Sequence, residues 1–156
     1  MSTRPVTHAT FTIERIYDVP PARVFQAFAD RAAKMRWFVE EEGWTTESYD
    51  LDFRIGGHER AKGAEPGGMK YGNDTLYHDI VPNERIVFAY AMDLNGARIS
   101  ASLATITLTS EGRGTRFSYT EQGAFFEGKG PAGPDGREEG CRGLFEKLAR
   151  ELARPA

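Results

Sequence analysis

From Ala9 to Val19 the chain alternates, with Phe11 and Ile13 (and Arg15 in phase) on one side and Thr10, Thr12 and Glu14 on the other. A period of two predicts a strand. Pro20-Pro21 end it, and a proline in the first turn begins a helix at no cost in hydrogen bonds. Val24, Phe25 and Phe28 then recur at helical spacing in ARVFQAFAD. A second short helix is predicted over DRAAKMRWF, with Asp30 as its N-cap.

After Trp37 the period returns to two. Strands are predicted over roughly 44–55, 58–64, 70–81, 84–94, 98–109 and 114–123. Between them stand Gly56-Gly57, EPGG (65–68), VPNE (81–84), LNGA (94–97) and SEGRG (110–114), all turn chemistry. Connections this short predict antiparallel pairing, because parallel neighbours need long crossovers. A Gly- and Pro-rich loop, GAFFEGKGPAGPDG, follows at 123–136. In the last segment, REEGCRGLFEKLARELA, the residues Cys141, Leu144, Phe145, Leu148 and Leu152 fall on one helical stripe. Gly140 and Gly143 weaken that helix by roughly 1 kcal/mol each relative to alanine, or else allow a close approach by the sheet or a ligand.

The order is strand, two short helices, six strands, long helix. The expected fold is α+β: a curved antiparallel seven-stranded sheet wrapped around the C-terminal helix, with two short helices after the first strand. One domain is expected over 1–156, with a core of about 9–153. One helix rarely fills a sheet of that size, so an internal space is expected.

Composition narrows the function classes. The chain has 156 residues, 40% hydrophobic and 28% charged, with a formal net charge of -3 and mixed signs throughout. Without a basic block, nucleic acid and anionic membrane surfaces are poor partners. No apolar run reaches membrane-spanning length, and MSTRPVTHATFTIER has no secretory apolar core. With one cysteine, Cys141, an internal disulfide is impossible. Together these predict a cytoplasmic protein without membrane insertion.

The chemistry-bearing residues form few recognisable constellations. His8, His58, His78 and Cys141 lack metal-ligand spacing, so no metal or cofactor is expected. No Gly-x-Ser-x-Gly elbow is present. Gly56-Gly57 and Gly67-Gly68 each lead from strand to strand, whereas a phosphate cradle needs a following helix, so a hairpin corner is expected. In LDFRIGGHER, Leu51, Phe53 and Ile55 are expected to face inward, and Asp52 and Arg54 to face water. Alternation places Ile86, Phe88, Tyr90 and Met92 on one inner row, Phe117, Tyr119 and Glu121 on another, and Leu76, His78 and Ile80 on a third. Polar groups in phase with apolar ones need partners, either one another or a ligand. Trp37, Trp44, Phe125 and Phe126 are placed to form a mouth. No catalytic residue is assigned.

Four stretches, FTIERIYDVPPARVFQAFAD, MRWF, LDFRIGGHER and YHDIVPNERIVFAY, in this order resemble the START-like (SRPBCC) superfamily, with the helix-grip fold of the major birch pollen allergen. Within it they resemble the branch named after the activator of Hsp90 ATPase homologue, from about Thr10 to Leu152. The resemblance implies an internal cavity of the kind that takes lipids, hormones or polyketides, with occasional cyclases and hydrolases. The eukaryotic co-chaperone carries a further N-terminal domain for which this chain has no space, so Hsp90 is a weaker expectation than a small molecule.

The leading expectation is therefore a binding protein, monomeric or homodimeric, for a small apolar or amphipathic molecule. Its lining would be Trp37, Trp44, Phe53, His78, Phe88, Tyr90, Met92, Tyr119, Glu121, Phe125 and Leu144. An enzyme using His78 or Glu121 as acid or base, and a chaperone-cofactor-like interaction module, stand beside it.

Overall fold

The computed structural model describes residues 5–155. Strand β1 (Thr7–Tyr17) is followed by helices α1 (Pro21–Ala29) and α2 (Arg31–Lys34), the latter running into a π-helical turn, Met35–Val39. Six strands come next: β2 (Thr45–Leu51), β3 (His58–Ala64), β4 (Lys70–Val81), β5 (Arg85–Leu94), β6 (Ala97–Glu111) and β7 (Gly114–Phe125). Helix α3 (Pro134–Leu152) ends the fold. The local signals act as expected: Asp30 accepts from the Ala33 N–H at 2.9 Å, and Pro21 opens α1.

All seven strands pair antiparallel in the order β1-β7-β6-β5-β4-β3-β2. Consecutive strands β2 to β7 form a meander, and β1 closes the far edge against β7. The chain must therefore cross from one edge of the sheet to the other after β1. The segment from α1 to the π-helical turn makes that crossing, so it lies over the concave face beside α3. This is a helix-grip architecture of α+β class.

The apolar stripe of α3 provides Cys141, Phe145, Leu148 and Leu152, all buried. Phe145 meets the Phe117 and Tyr119 rings edge-on at 4.8 and 5.0 Å, and Tyr17 donates its hydroxyl to the Phe145 carbonyl. From the crossing segment, Trp37 packs edge-on against Phe28 and donates its indole N–H to the Ala27 carbonyl at 2.8 Å.

Two departures from simple alternation change the expected inward rows. β2 ends at Leu51, so Ile55 lies in the connection and is exposed rather than inward. In β4 the pairing with β5 passes from Tyr77↔Phe88 to Asp79↔Val87, leaving His78 as an extra bulged residue. The bulge lets both Tyr77 and Ile80 face the core, and it places His78 on the exposed face. The inward row of β4 is accordingly Asn73, Thr75 and Tyr77, not Leu76 and His78.

The Gly56-Gly57 connection is a corner. Gly56 has φ of +84°, and a Cβ at Gly57 would lie 2.1 Å from the Asp52 carbonyl. The corner is pinned to β4: the Gly56 N–H donates to the Tyr77 carbonyl, and the Tyr77 N–H donates to the Gly57 carbonyl.

Candidate functional site

A cavity of about 450 Å³ lies between the concave face of β2–β7, the π-helical turn and the first half of α3. Its apolar wall includes Phe28, Trp37, Phe38, Phe88, Met92 and Leu144. Gly140 also lines it, and a Cβ placed there would meet nothing within 4 Å. No close approach of the sheet therefore requires that glycine.

A buried polar belt crosses the sheet beneath this wall. Register pairs Glu59 with Thr75, Thr75 with Tyr90, and Tyr90 with Ser102, one residue from each of four adjacent strands. All four are buried. Each end of the belt carries a buried ion pair.

At the first end, Lys34 Nζ donates to Glu59 Oε1 at 3.1 Å. Tyr77 donates to the same oxygen at 2.6 Å, and Tyr49 donates to Oε2 at 2.6 Å. The Lys34 ammonium also faces the rings of Phe38, Phe28 and Trp37, at 4.6 Å from the first. Burial, with Glu59 alongside, pushes the Tyr77 phenol far above its ordinary value.

At the other end, Glu121 is fully buried and accepts from several donors. Tyr90 reaches both its oxygens at 2.7 and 2.8 Å, Tyr119 donates at 2.6 Å, and Ser102 at 2.7 Å. Arg137 Nη1 donates to it at 3.0 Å and to the Tyr90 oxygen at 2.9 Å, while Nη2 donates to Ser100 Oγ at 2.6 Å. Its guanidinium lies over the Tyr90 and Phe125 rings. The Cys141 thiol is 3.8 Å from Glu121, and burial together with that carboxylate pushes it up to about 12. Burial first, and then neighbouring groups including Glu121, raise Tyr90 and Tyr119 well above the ordinary tyrosine range. No buried side-chain nitrogen or oxygen among the described residues lacks a partner. Both oxygens of each carboxylate, Glu59 and Glu121, are bonded, as an interior of low polarity demands.

The crossing segment is stapled to α3. Arg36 forks onto the Glu151 carboxylate at 2.9 and 2.7 Å, and Arg23 donates to the Glu151 carbonyl. Lys147 pairs with Glu41 at 2.9 Å and donates to the Glu40 carbonyl.

Of the residues singled out from sequence, Trp37, Trp44, Phe88, Tyr90, Met92, Tyr119 and Leu144 lie on the cavity wall. Trp44 is partly exposed, with its ring 5.0 Å from that of Tyr71. Glu121 sits behind the wall, under Tyr90 and Tyr119. Phe125 is fully buried beneath Arg137 rather than at a mouth. Phe53 packs between Phe25 and Tyr77, outside the cavity. His78 faces away on its bulge.

Lys34, Glu59 and Arg137 were not legible as site residues from sequence. A signal for Arg137 does exist: it precedes Cys141 by four residues and so belongs to the apolar stripe of α3. Among the described residues no group of three His, Cys, Asp or Glu side chains gathers to hold a metal, and no described helix is long and apolar enough to cross a membrane.

A protein from Rhizobium loti is similar to this chain at 50% identity, covering 94% of this chain and 99% of its own, with a TM-score of 0.85. A protein from Rhizobium leguminosarum is 40% identical over 99% of this chain and 100% of its own, with a TM-score of 0.92. An AHSA1-like protein from Aeromonas hydrophila, 19% identical over 92% of each chain at a TM-score of 0.69, shares the fold. A comparison with functionally curated proteins gives no match. The family model for "Activator of Hsp90 ATPase homolog 1-like protein" matches residues 18–153, and the chain belongs to that family.

Proposed function

We propose that this protein binds a small apolar or amphipathic molecule in the cavity between its sheet and α3. The observation that carries this reading is the cavity itself: about 450 Å³, walled by aromatic and aliphatic side chains, with a polar belt on one side. That is the size and composition of small-ligand sites in general. Family membership agrees with a START-like ligand-binding fold.

The other two readings find less support. Acid–base catalysis needed His78 or Glu121, but His78 is exposed and Glu121 is held by five side chains. An interaction module predicts a filled interior, and Hsp90 as a partner rests on the family's description alone.

Native mass spectrometry of freshly purified protein, followed by denaturing extraction, tests the reading. A co-purified small molecule is the expected result, and Gly140→Leu, at a position on the cavity lining, should release it while the protein stays folded. Recovery of the same molecule at the same occupancy from Gly140→Leu would move the site elsewhere.

A further inference from the structure

We infer that the ligand is an amphipathic carboxylate, its acid group seated at Arg137 and its apolar body against Phe88, Met92 and Leu144. This rests on the cavity being a binding site, and it adds the chemistry of the headgroup.

The charged groups on the cavity wall differ in how many hydrogen bonds they have left to make. A guanidinium carries five N–H donors. For Arg137, three are placed: two from Nη1 on Tyr90 and Glu121, and one from Nη2 on Ser100. The Nε–H and the second Nη2–H have no acceptor among the described residues; no fully buried side-chain nitrogen among them lacks a partner, so Nε keeps some open surface on this cavity-lining side chain. Lys34, also on the wall, uses one N–H on Glu59 and turns the rest of its ammonium toward aromatic rings. The carboxylates stand differently. Glu59 already accepts from Lys34, Tyr49 and Tyr77, and Glu121 accepts from five side chains and sits behind Arg137. The charged capacity still open to the cavity is therefore on the donor side.

The setting of Arg137 reinforces this. It lies in the first turn of the 19-residue α3, whose N-cap, Gly133, supplies no side-chain cap. Gly136 in the same turn also lines the cavity. Backbone N–H groups at a helix start favour negative charge, in the same sense as the guanidinium. A carboxylate can accept two N–H at once, an alcohol gains one ordinary bond, and an ammonium meets the cations Arg137, Lys34 and Lys62 with no open carboxylate.

Calorimetric titration of the wild-type protein with dodecanoate, dodecanol and dodecylammonium, each below its micelle concentration, separates these cases. Dodecanoate should bind at least about tenfold more tightly than dodecanol, with the ammonium weakest. Equal or tighter binding of the alcohol or the ammonium overturns the headgroup inference and leaves the cavity reading intact. Failure of all three to bind, together with an empty native mass spectrum, overturns both. Arg137→Lys keeps the charge and loses the fork. It should weaken dodecanoate about tenfold and leave dodecanol within about twofold. Equal weakening of both would mark Arg137 as merely structural and sink the inference. Should that variant not fold, the wild-type series alone decides.

Discussion

Raising the pH from about 9 to about 12 perturbs the polar belt without any mutation. Tyr77, Tyr90 and Tyr119 are buried and donate their hydroxyls to Glu59 or Glu121. Burial first, and then neighbouring groups including these carboxylates, raise all three far above the ordinary value. The unfolded chain ionises them near pH ~10, whereas the folded chain holds them protonated. Because the folded value is the raised one, this stabilisation is fully present below about pH 10 and is lost as pH climbs toward the folded values. The loss per group is about 1.4 kcal/mol per pH unit. While all three stay protonated in the folded chain they together remove about 4 kcal/mol per pH unit above pH ~10, against a total stability of roughly 5–15. Urea unfolding across this range, read by circular dichroism alongside tyrosinate absorbance, should show abrupt unfolding with the absorbance appearing in the same step. Tyr90→Phe should flatten the slope by about 1.4 kcal/mol per pH unit. Gradual appearance of tyrosinate from all three near pH ~10 with native ellipticity retained would refute the reasoning.

Other expectations follow from the same geometry. Glu121→Gln strips Arg137 of its buried counter-charge and should cost about 3–5 kcal/mol in urea unfolding; a loss under about 1 kcal/mol would mean that the cluster is solvated. Gly140→Ala should stabilise by up to about 1 kcal/mol, since its Cβ meets open space in a helix. Gly136→Ala should destabilise, since its Cβ would lie 2.4 Å from the Pro131 carbonyl; like signs in thermal denaturation would contradict this. Cys141, buried and pushed up to about 12, should resist thiol reagents near pH ~8 until urea unfolds the chain. Rapid native labelling would show that the cavity wall opens.

Much of this fold is carried by patterns of period two and period 3.6 that one sequence displays openly. The strand–helix opening, the five tight connections and the stripe of α3 are local signals, and the antiparallel meander follows from short connections. The candidate site was only half legible for a physical reason. Apolar wall residues such as Phe88, Met92 and Leu144 announce themselves by phase. Charged residues are read as solvated unless a partner is visible, and the partners here are distant in sequence: Lys34 with Glu59, and Arg137 with Glu121. Glu59 shares its inward row with Ala61 and Gly63, which give no apolar contrast. Alternation alone turns His78 inward, because a bulge is a tertiary event with no period of its own.

That bulge has a further consequence for how β4 tolerates change in length. With His78 present, Tyr77 and Ile80 are three positions apart and both face the core. Removing His78 would bring them two positions apart, which is plain alternation with the same residues inward. Removing Thr75 instead would invert every side chain on one side of the cut. A one-residue deletion in mid-strand is ordinarily ruinous. At His78, β4 can shorten by one residue while the concave face stays composed as it is.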